Sequence, residues 1–289
     1  MTTSAQWIAG ARPRTLGAAV APVLVGTAAA SIYAPVIAWR ALAALFVALA
    51  LQIGVNYAND YSDGVRGTDD RRAGPLRLTA TGTATPSAVR TAAIVAFGSA
   101  AVAGAALSLV VDPWLLALGA VSIAAGALYT GGPKPYGYIG LGEVVVLVFF
   151  GFVATAGSAY VQLVRVPAEA WWGSLVVGLP ACAILLANNL RDVDTDLAGG
   201  KRTLAVRIGR PATRACFVGV IVAAFAAVIV LGALRPWAWL GLGAAVLAVR
   251  PVSLVLTRTD PPSLVVALVG TAALQIVLAV LVAIGLAVS

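Results

Sequence analysis

Two short stretches hold most of the acid in this chain, and their spacing is that of ligands. In residues 188–209, NNLRDVDTDLAGGKRTLAVRIG, Asp192, Asp194 and Asp196 close an apolar run. A carboxylate is costly there unless a cation or a hydrated cavity meets it. If the apolar helix continues to Asp196, then Asn188, Asp192 and Asp196 recur every four residues and share one face, a row of oxygen ligands. Gly199 and Gly200 then break the helix and present Lys201, Arg202, Arg207 and Arg210. In residues 52–82, QIGVNYANDYSDGVRGTDDRRAGPLRLTATG, the same logic returns: Asn56, Asn59, Asp60 and Asp63 are spaced i, i+3, i+4 and i+7 and fall on one helical face. Gly64 and Gly67 release the chain, and Asp69, Asp70, Arg71, Arg72 and Arg77 follow. Of 11 acidic residues, seven lie in these two stretches, so little acid is left for any other site. Carboxylates that gather a hard metal, beside cations that hold anions, point to a metal-bridged phosphate ester or diphosphate.

A third break, YTGGPKPYGYIGLGEVV (residues 129–145), is too rich in glycine and proline for a regular helix. Lys134, Tyr136 and Tyr138 therefore stand on a stiff loop. Glu143 follows one turn into an apolar helix, where it should face the cavity and pair with Lys134 or a loop arginine.

The elements that position these residues belong to a membrane. The 289 residues are 61% hydrophobic and 10% charged, with a mean hydropathy of +0.98, whereas soluble domains carry about one quarter charge. Apolar runs of helical length, with no alternating ten-residue strands, predict an all-α integral membrane protein, with cytoplasmic loops capping a bundle. About nine spans are expected, near residues 16–33, 38–58, 88–110, 114–130, 140–162, 172–191, 213–233, 236–256 and 264–287. With the N-terminus cytoplasmic, only Arg40, Arg165 and Arg235 fall outside, the asymmetry that the positive-inside rule demands. Both acidic stretches then share the cytoplasmic side. The first apolar run reads as a retained helix rather than a cleaved signal.

Residues 1–289 form a single transmembrane domain. Asn56 with Asp60, and Asn188 with Asp192, each end an even-numbered span, the second and the sixth, four positions apart in the order of spans. This suggests a parallel pseudo-repeat, about 38–162 and 172–287, that offers two acidic faces to one cavity. The net charge of +8 is then a matter of topology and not of nucleic-acid binding. Cys182 and Cys216, without CxxC spacing, read as small buried hydrophobes. The absence of histidine excludes His-ligated zinc, His-ligated haem and His-based triads.

These motifs resemble the UbiA superfamily of intramembrane aromatic prenyltransferases, and within it the branch that prenylates 1,4-dihydroxy-2-naphthoate in menaquinone synthesis. Asn59, Asp60, Asp63 and Asp69, with Asn188, Asp192 and Asp196, meet the superfamily's two Asp-rich motifs. ARPRTLGAAVAPVLVG, DGVRGTDDRRAGPLRLTATG, YTGGPKPYGYIGLGE and DTDLAGGKRTLAVRIG carry the branch. The 4-hydroxybenzoate branch continues its first motif as DRDxD, whereas Gly64, Val65 and Arg66 follow Asp63 here.

The resemblance implies nine helices around a central cavity with a lateral opening, a polyprenyl diphosphate donor, a naphthoate acceptor and Mg²⁺, two ions. It implies Asn59, Asp60, Asp63, Asp69, Asp192 and Asp196 as metal ligands. Asn56, Arg66, Arg71, Arg77, Asn188, Lys201 and Arg202 would hold the diphosphate, and Lys134, Tyr136, Glu143 and Lys201 would act in catalysis. Tyr129, Phe149 and Phe152 are candidate rings for an allylic cation. Other acceptors, 4-hydroxybenzoate or homogentisate, stay open within the class. A transporter is the rival from outside it, though transport sites usually sit near the bilayer centre.

Overall fold

The computed structural model describes residues 2–67 and 76–289, and among these the chain is helical with no strand. Its helices are α1 (Ser4–Gly10), α2 (Gly17–Ser31), α3 (Ala38–Val65), α4 (Pro86–Val111), α5 (Leu115–Leu128) and α6 (Gly142–Leu163). They continue as α7 (Ala168–Arg191), α8 (Val193–Ala198), α9 (Leu204–Leu234), α10 (Pro236–Thr257) and α11 (Pro261–Ala287). Every apolar run expected as a span is helical. By length and composition α3, α4, α6, α7, α9, α10 and α11 can each cross a membrane, seven among the described residues, and α1 with α2, bent by 51°, makes an eighth if counted as one span. The 14 residues of α5 rise only about 21 Å, short of a hydrocarbon core of about 30 Å.

The largest buried apolar cluster lies among α2, α7, α9, α10 and α11, where Val25, Val177, Phe217, Leu231 and Leu278 are fully buried. Against that block, α3 pairs with α4, and α6 crosses α7 at a contact of two glycines. A Cβ on Gly178 would lie 2.7 Å from Gly151 Cα, so only glycine allows the two backbones this approach. Around Gly151 the helix relaxes to π geometry over Leu147–Val153, a local widening that re-aims side chains. Cys182 is buried as expected, whereas Cys216 is exposed on the outer side of α9.

One end of the bundle is pinned by polar contacts. Tyr33 donates to both carboxylate oxygens of Glu169, at 3.0 and 2.9 Å, and Arg235 pairs with the same group at 2.8 Å. Arg165 lies 4.7 Å from the Tyr33 ring centre, and Arg40 donates to the Val161 carbonyl. From Arg40 to Asp63 the helix α3 climbs about 34 Å. The three arginines expected apart from all others therefore gather at the end opposite Asp63.

Candidate functional site

At the Asp63 end of α3 the four polar residues of one face divide their work. Asn56 donates to the Ala11 carbonyl at 2.9 Å and to Thr15 Oγ1 at 3.1 Å, which ties α3 to the turn between α1 and α2. Asn59 accepts from Thr130 Oγ1 at 2.8 Å. Asp63 accepts from the Tyr138 hydroxyl at 2.6 Å and faces the Lys201 ammonium at 3.2 Å. Asp60 sits at the edge of the arc, about 100° around the helix from Asn59. It is fully buried away from the cavity and accepts from the backbone of Leu78 and Thr79 at 2.8 and 2.9 Å.

Asn188, Asp192 and Asp196 do not form a row on a single helix. Helix α7 ends at Arg191, and Asp192, with φ −97° and ψ 8°, separates it from α8. The Asp192 carboxylate is gripped by Arg191 through Nε and Nη2, both at 2.6 Å, with both side chains buried. Asn188 and Asp196 remain on the cavity wall. After α8, Gly200 adopts φ +75° and turns the chain back, and Lys201 N donates to the Asp196 carbonyl at 2.8 Å. Lys201 thereby points inward, 6% exposed, while Arg202 is exposed and contributes its backbone N–H to the Tyr138 carbonyl. Asp194 is also outside, paired with Arg210 at 2.8 Å.

The loop after α5 closes this end. Tyr138 bridges the two acidic stretches: its hydroxyl reaches Asp63, its ring lies 4.8 Å from Lys201 Nζ, and Arg66 stacks on it at 5.4 Å. Arg66 forks onto the carbonyls of Thr130 and Gly132 and faces away from the cavity, so in this arrangement it pins the loop. Tyr136 donates to the Ala125 carbonyl at 2.6 Å and meets Tyr129 edge-on at 5.5 Å. Burial pushes its phenol up to about 12, so it is a neutral donor and no base near pH 7. Lys134 is exposed and stands apart from the cavity.

Among the described residues Glu143 pairs with neither Lys134 nor an arginine. The expected ion pair fails because Lys134 lies on the outer side of the loop, while α7 brings Asn189 across to donate to Glu143 Oε1 at 2.9 Å. Glu143 itself is buried behind the wall, and Asn189 lines the cavity. Asp69, Asp70, Arg71 and Arg72 lie outside the described residues.

All these elements surround a cavity of roughly 400 Å³ bounded by α2, α3, α4, α5, α6 and α7. Its polar end presents Asn59, Asp63, Asn188 and Asp196 with the cations Arg12, Arg77 and Lys201. The remainder is apolar and includes Tyr129, Phe149 and Phe150, whereas Phe152 packs on Trp171 instead. Arg12, Thr130 and Asn189 had drawn no site role from the sequence. Arg12 had left one signal, a charge before Pro13 that proline steers away from helix, and it adopts φ 54°.

The donor set is hard: two carboxylates and neutral amide oxygens. Among the described residues no three His, Cys, Asp or Glu side chains cluster as a metal cage. The hard oxygen donors suit Mg²⁺, which is held by one or two carboxylates and completes its shell with water and phosphate. The Lys201 ammonium against Asp63 shows that this end already holds a cation beside carboxylate. The arrangement fits an amphiphile with a polyanionic head and a long apolar tail.

The sequence profile described as the UbiA prenyltransferase family matches residues 19–268. A 1,4-dihydroxy-2-naphthoate octaprenyltransferase of Mycobacterium tuberculosis is 51% identical over 250 residues, 86% of each chain. The Escherichia coli protein of the same name is 39% identical over 268 residues, covering 88% of this chain and 86% of that one. Among solved structures, a UbiA homologue from Archaeoglobus fulgidus bound to GPP and Mg²⁺ superposes with a TM-score of 0.67 at 12% identity, covering 96% of this chain and 99% of that one. At that identity the likeness concerns the fold.

Proposed function

The chain belongs to the UbiA prenyltransferase family, and we propose that it transfers a polyprenyl group from polyprenyl diphosphate to 1,4-dihydroxy-2-naphthoate, releasing CO₂ and giving demethylmenaquinol. One observation carries the reading: Lys201 Nζ, 3.2 Å from Asp63, joins the two acidic stretches at the polar mouth of an otherwise apolar chamber. The names of the bacterial relatives support the acceptor, and the archaeal homologue holding GPP and Mg²⁺ supports the donor and the ion.

Lys201, Arg77 and Arg12 bind the diphosphate by charge-assisted hydrogen bonds and draw off the charge that grows on it as its bond to C1 breaks. Two Mg²⁺ ions, held by Asp63 and Asp196 with Asn59 and Asn188, would supply further neutralisation of the leaving group. Asp69 completes the first motif on this reading, and Arg71 adds to the cations. Asp60 and Asp192 act one step back: Asp60 fixes the Leu78–Thr79 backbone beside Arg77, and Asp192 holds Arg191, which donates to Asn188 Oδ1 at 2.9 Å.

The apolar walls exclude water from the allylic cation, and the faces of Tyr129, Phe149 and Phe150 stabilise it. The naphthoate ring attacks C1 at the carbon that bears its carboxylate. CO₂ then leaves, and its bonding pair restores the aromatic ring. Asn189, oriented by Glu143, positions the acceptor, and Tyr136 keeps the adjacent loop in place.

The protein lies in the cell membrane with its N-terminus and its catalytic end cytoplasmic and with nine spans, α5 being a short one. The distribution of arginines supports this. On the pseudo-repeat the ligands come from α3 in one half and from α7 with the short α8 in the other.

Purified protein supplied with labelled geranyl or octaprenyl diphosphate and a panel of naphthoate, benzoate and homogentisate acceptors tests the reading. Prenylated, decarboxylated naphthol that forms with Mg²⁺ and stops with chelator is expected. Transfer to a benzoate alone, or turnover indifferent to chelator, sinks it.

A further inference from the structure

The cavity is far deeper than a diphosphate needs. Its wall on α3 runs from Asp63 to Ala44, a climb of about 28 Å along the helix. At the far end Leu107, Leu115 and Val161 form a buried apolar cluster that lines its floor. Above that floor stand Gly104 on α4, Gly119 on α5 and Gly157 on α6, all lining the cavity.

Packing does not account for these three glycines. A Cβ added at Gly119 or Gly157 would meet nothing within 4 Å, and one at Gly104 would meet only Val47 Cγ2 at 3.9 Å. Other cavity glycines are different: at Gly126 an added Cβ would lie 2.8 Å from Val55 Cγ2, and at Gly137 2.7 Å from the Tyr129 carbonyl. Helices α5 and α6 face each other across the chamber while α5 packs on α3 and α4. A mid-helix glycine is less stable than alanine, and none of the three has a positive φ that would require it. What needs their smallness is therefore the occupant of the chamber.

We propose that Gly104, Gly119 and Gly157 form the track for the distal isoprenoid units of the donor, and that their lack of side chains determines which prenyl lengths the protein accepts. The inference rests on the prenyltransferase reading and adds its chain-length determinant. The polar end grips every donor alike through the diphosphate. Discrimination by length arises about 15 Å and more from Tyr129, counting the helical rise from Gly119 to Tyr129, where only a long tail reaches.

Gly119→Leu and Gly157→Leu test this, with Gly98→Leu as a control, since Gly98 is exposed on the outside of α4 and also meets nothing within 4 Å. Turnover of geranyl diphosphate should stay within about twofold of the parent in both chamber variants, while kcat/KM for octaprenyl diphosphate falls about tenfold or more from overfilling the track. Gly98→Leu should change neither. Equal loss for both donors, or undiminished use of the long one, overturns the inference. A parent protein that transfers neither donor sinks the prenyltransferase reading itself. Gly119→Ala and Gly157→Ala supply a readout independent of turnover: a methyl group in open space should raise the melting temperature slightly, and a lowered one overturns the claim of free space.

Discussion

Replacing Lys201 by methionine removes the ammonium with which the second acidic stretch meets Asp63 at 3.2 Å, while keeping most of the side-chain volume. Both side chains of the pair are at least nine-tenths buried, at 7% and 4% exposure. Breaking a buried pair from one side costs about 3–5 kcal/mol in a dry interior. Here the pair lines a polar cavity, and Asp63 keeps the Tyr138 hydroxyl at 2.6 Å, so a smaller loss of about 1–3 kcal/mol follows. The catalytic loss should be larger. A charged donor aimed at a developing anion contributes about 3–4 kcal/mol to the barrier, so kcat/KM for the donor should fall about 100- to 1,000-fold. The assay is donor-concentration dependence at saturating Mg²⁺ and naphthoate, with the folded fraction fixed by gel filtration and thermal melting in detergent. Asp63→Asn in the same background completes a cycle: the double variant should regain part of the melting temperature lost by Lys201→Met, because neither charge is left facing an absent partner. Activity of Lys201→Met within about threefold of the parent, at equal folded fraction, would refute the placement of this ammonium at the diphosphate.

Asp60→Asn should lower the melting temperature and not merely the activity: two backbone donors lose a charged acceptor, worth about 1.5–3 kcal/mol each at most, and unchanged melting would show the Leu78–Thr79 contacts to be unimportant. Glu169→Gln at the opposite end should destabilise by about 2 kcal/mol, reduced from the fully buried case by the 28% exposure of Arg235, while the turnover of the folded fraction stays unchanged; a selective loss of kcat would contradict a purely structural lock. Tyr136, raised from 10.0 to about 12, binds its proton more tightly folded than unfolded, so its contribution is intact below pH 10 and is lost as pH rises towards 12. Tyr136→Phe should therefore flatten the alkaline fall of the melting temperature over that window, and an identical fall in both proteins would remove Tyr136 as its source.

Composition and periodicity were enough to make this chain a helical membrane protein, because apolar runs of spanning length have no other stable form in lipid. The i, i+3, i+4, i+7 spacing likewise places Asn56, Asn59 and Asp63 together, since one helical face is a local property of the backbone. It could not separate Asp60 from Asp63. That difference depends on the turn at Leu78 and Thr79 approaching the edge of the face, a contact between residues 18 and 19 positions apart from Asp60. Asp192 was lost to the row for a similar reason, as the helix stops at Arg191 and the arginine turns back onto its neighbour. Lys201 and Arg202 are adjacent and alike in charge, yet Gly200 turns one inward and leaves the other outside. Residue type and spacing determined which groups could do the chemistry. Which of them face the cavity was decided by loop closure and helix ends, whose partners are distant in sequence and leave no period to read.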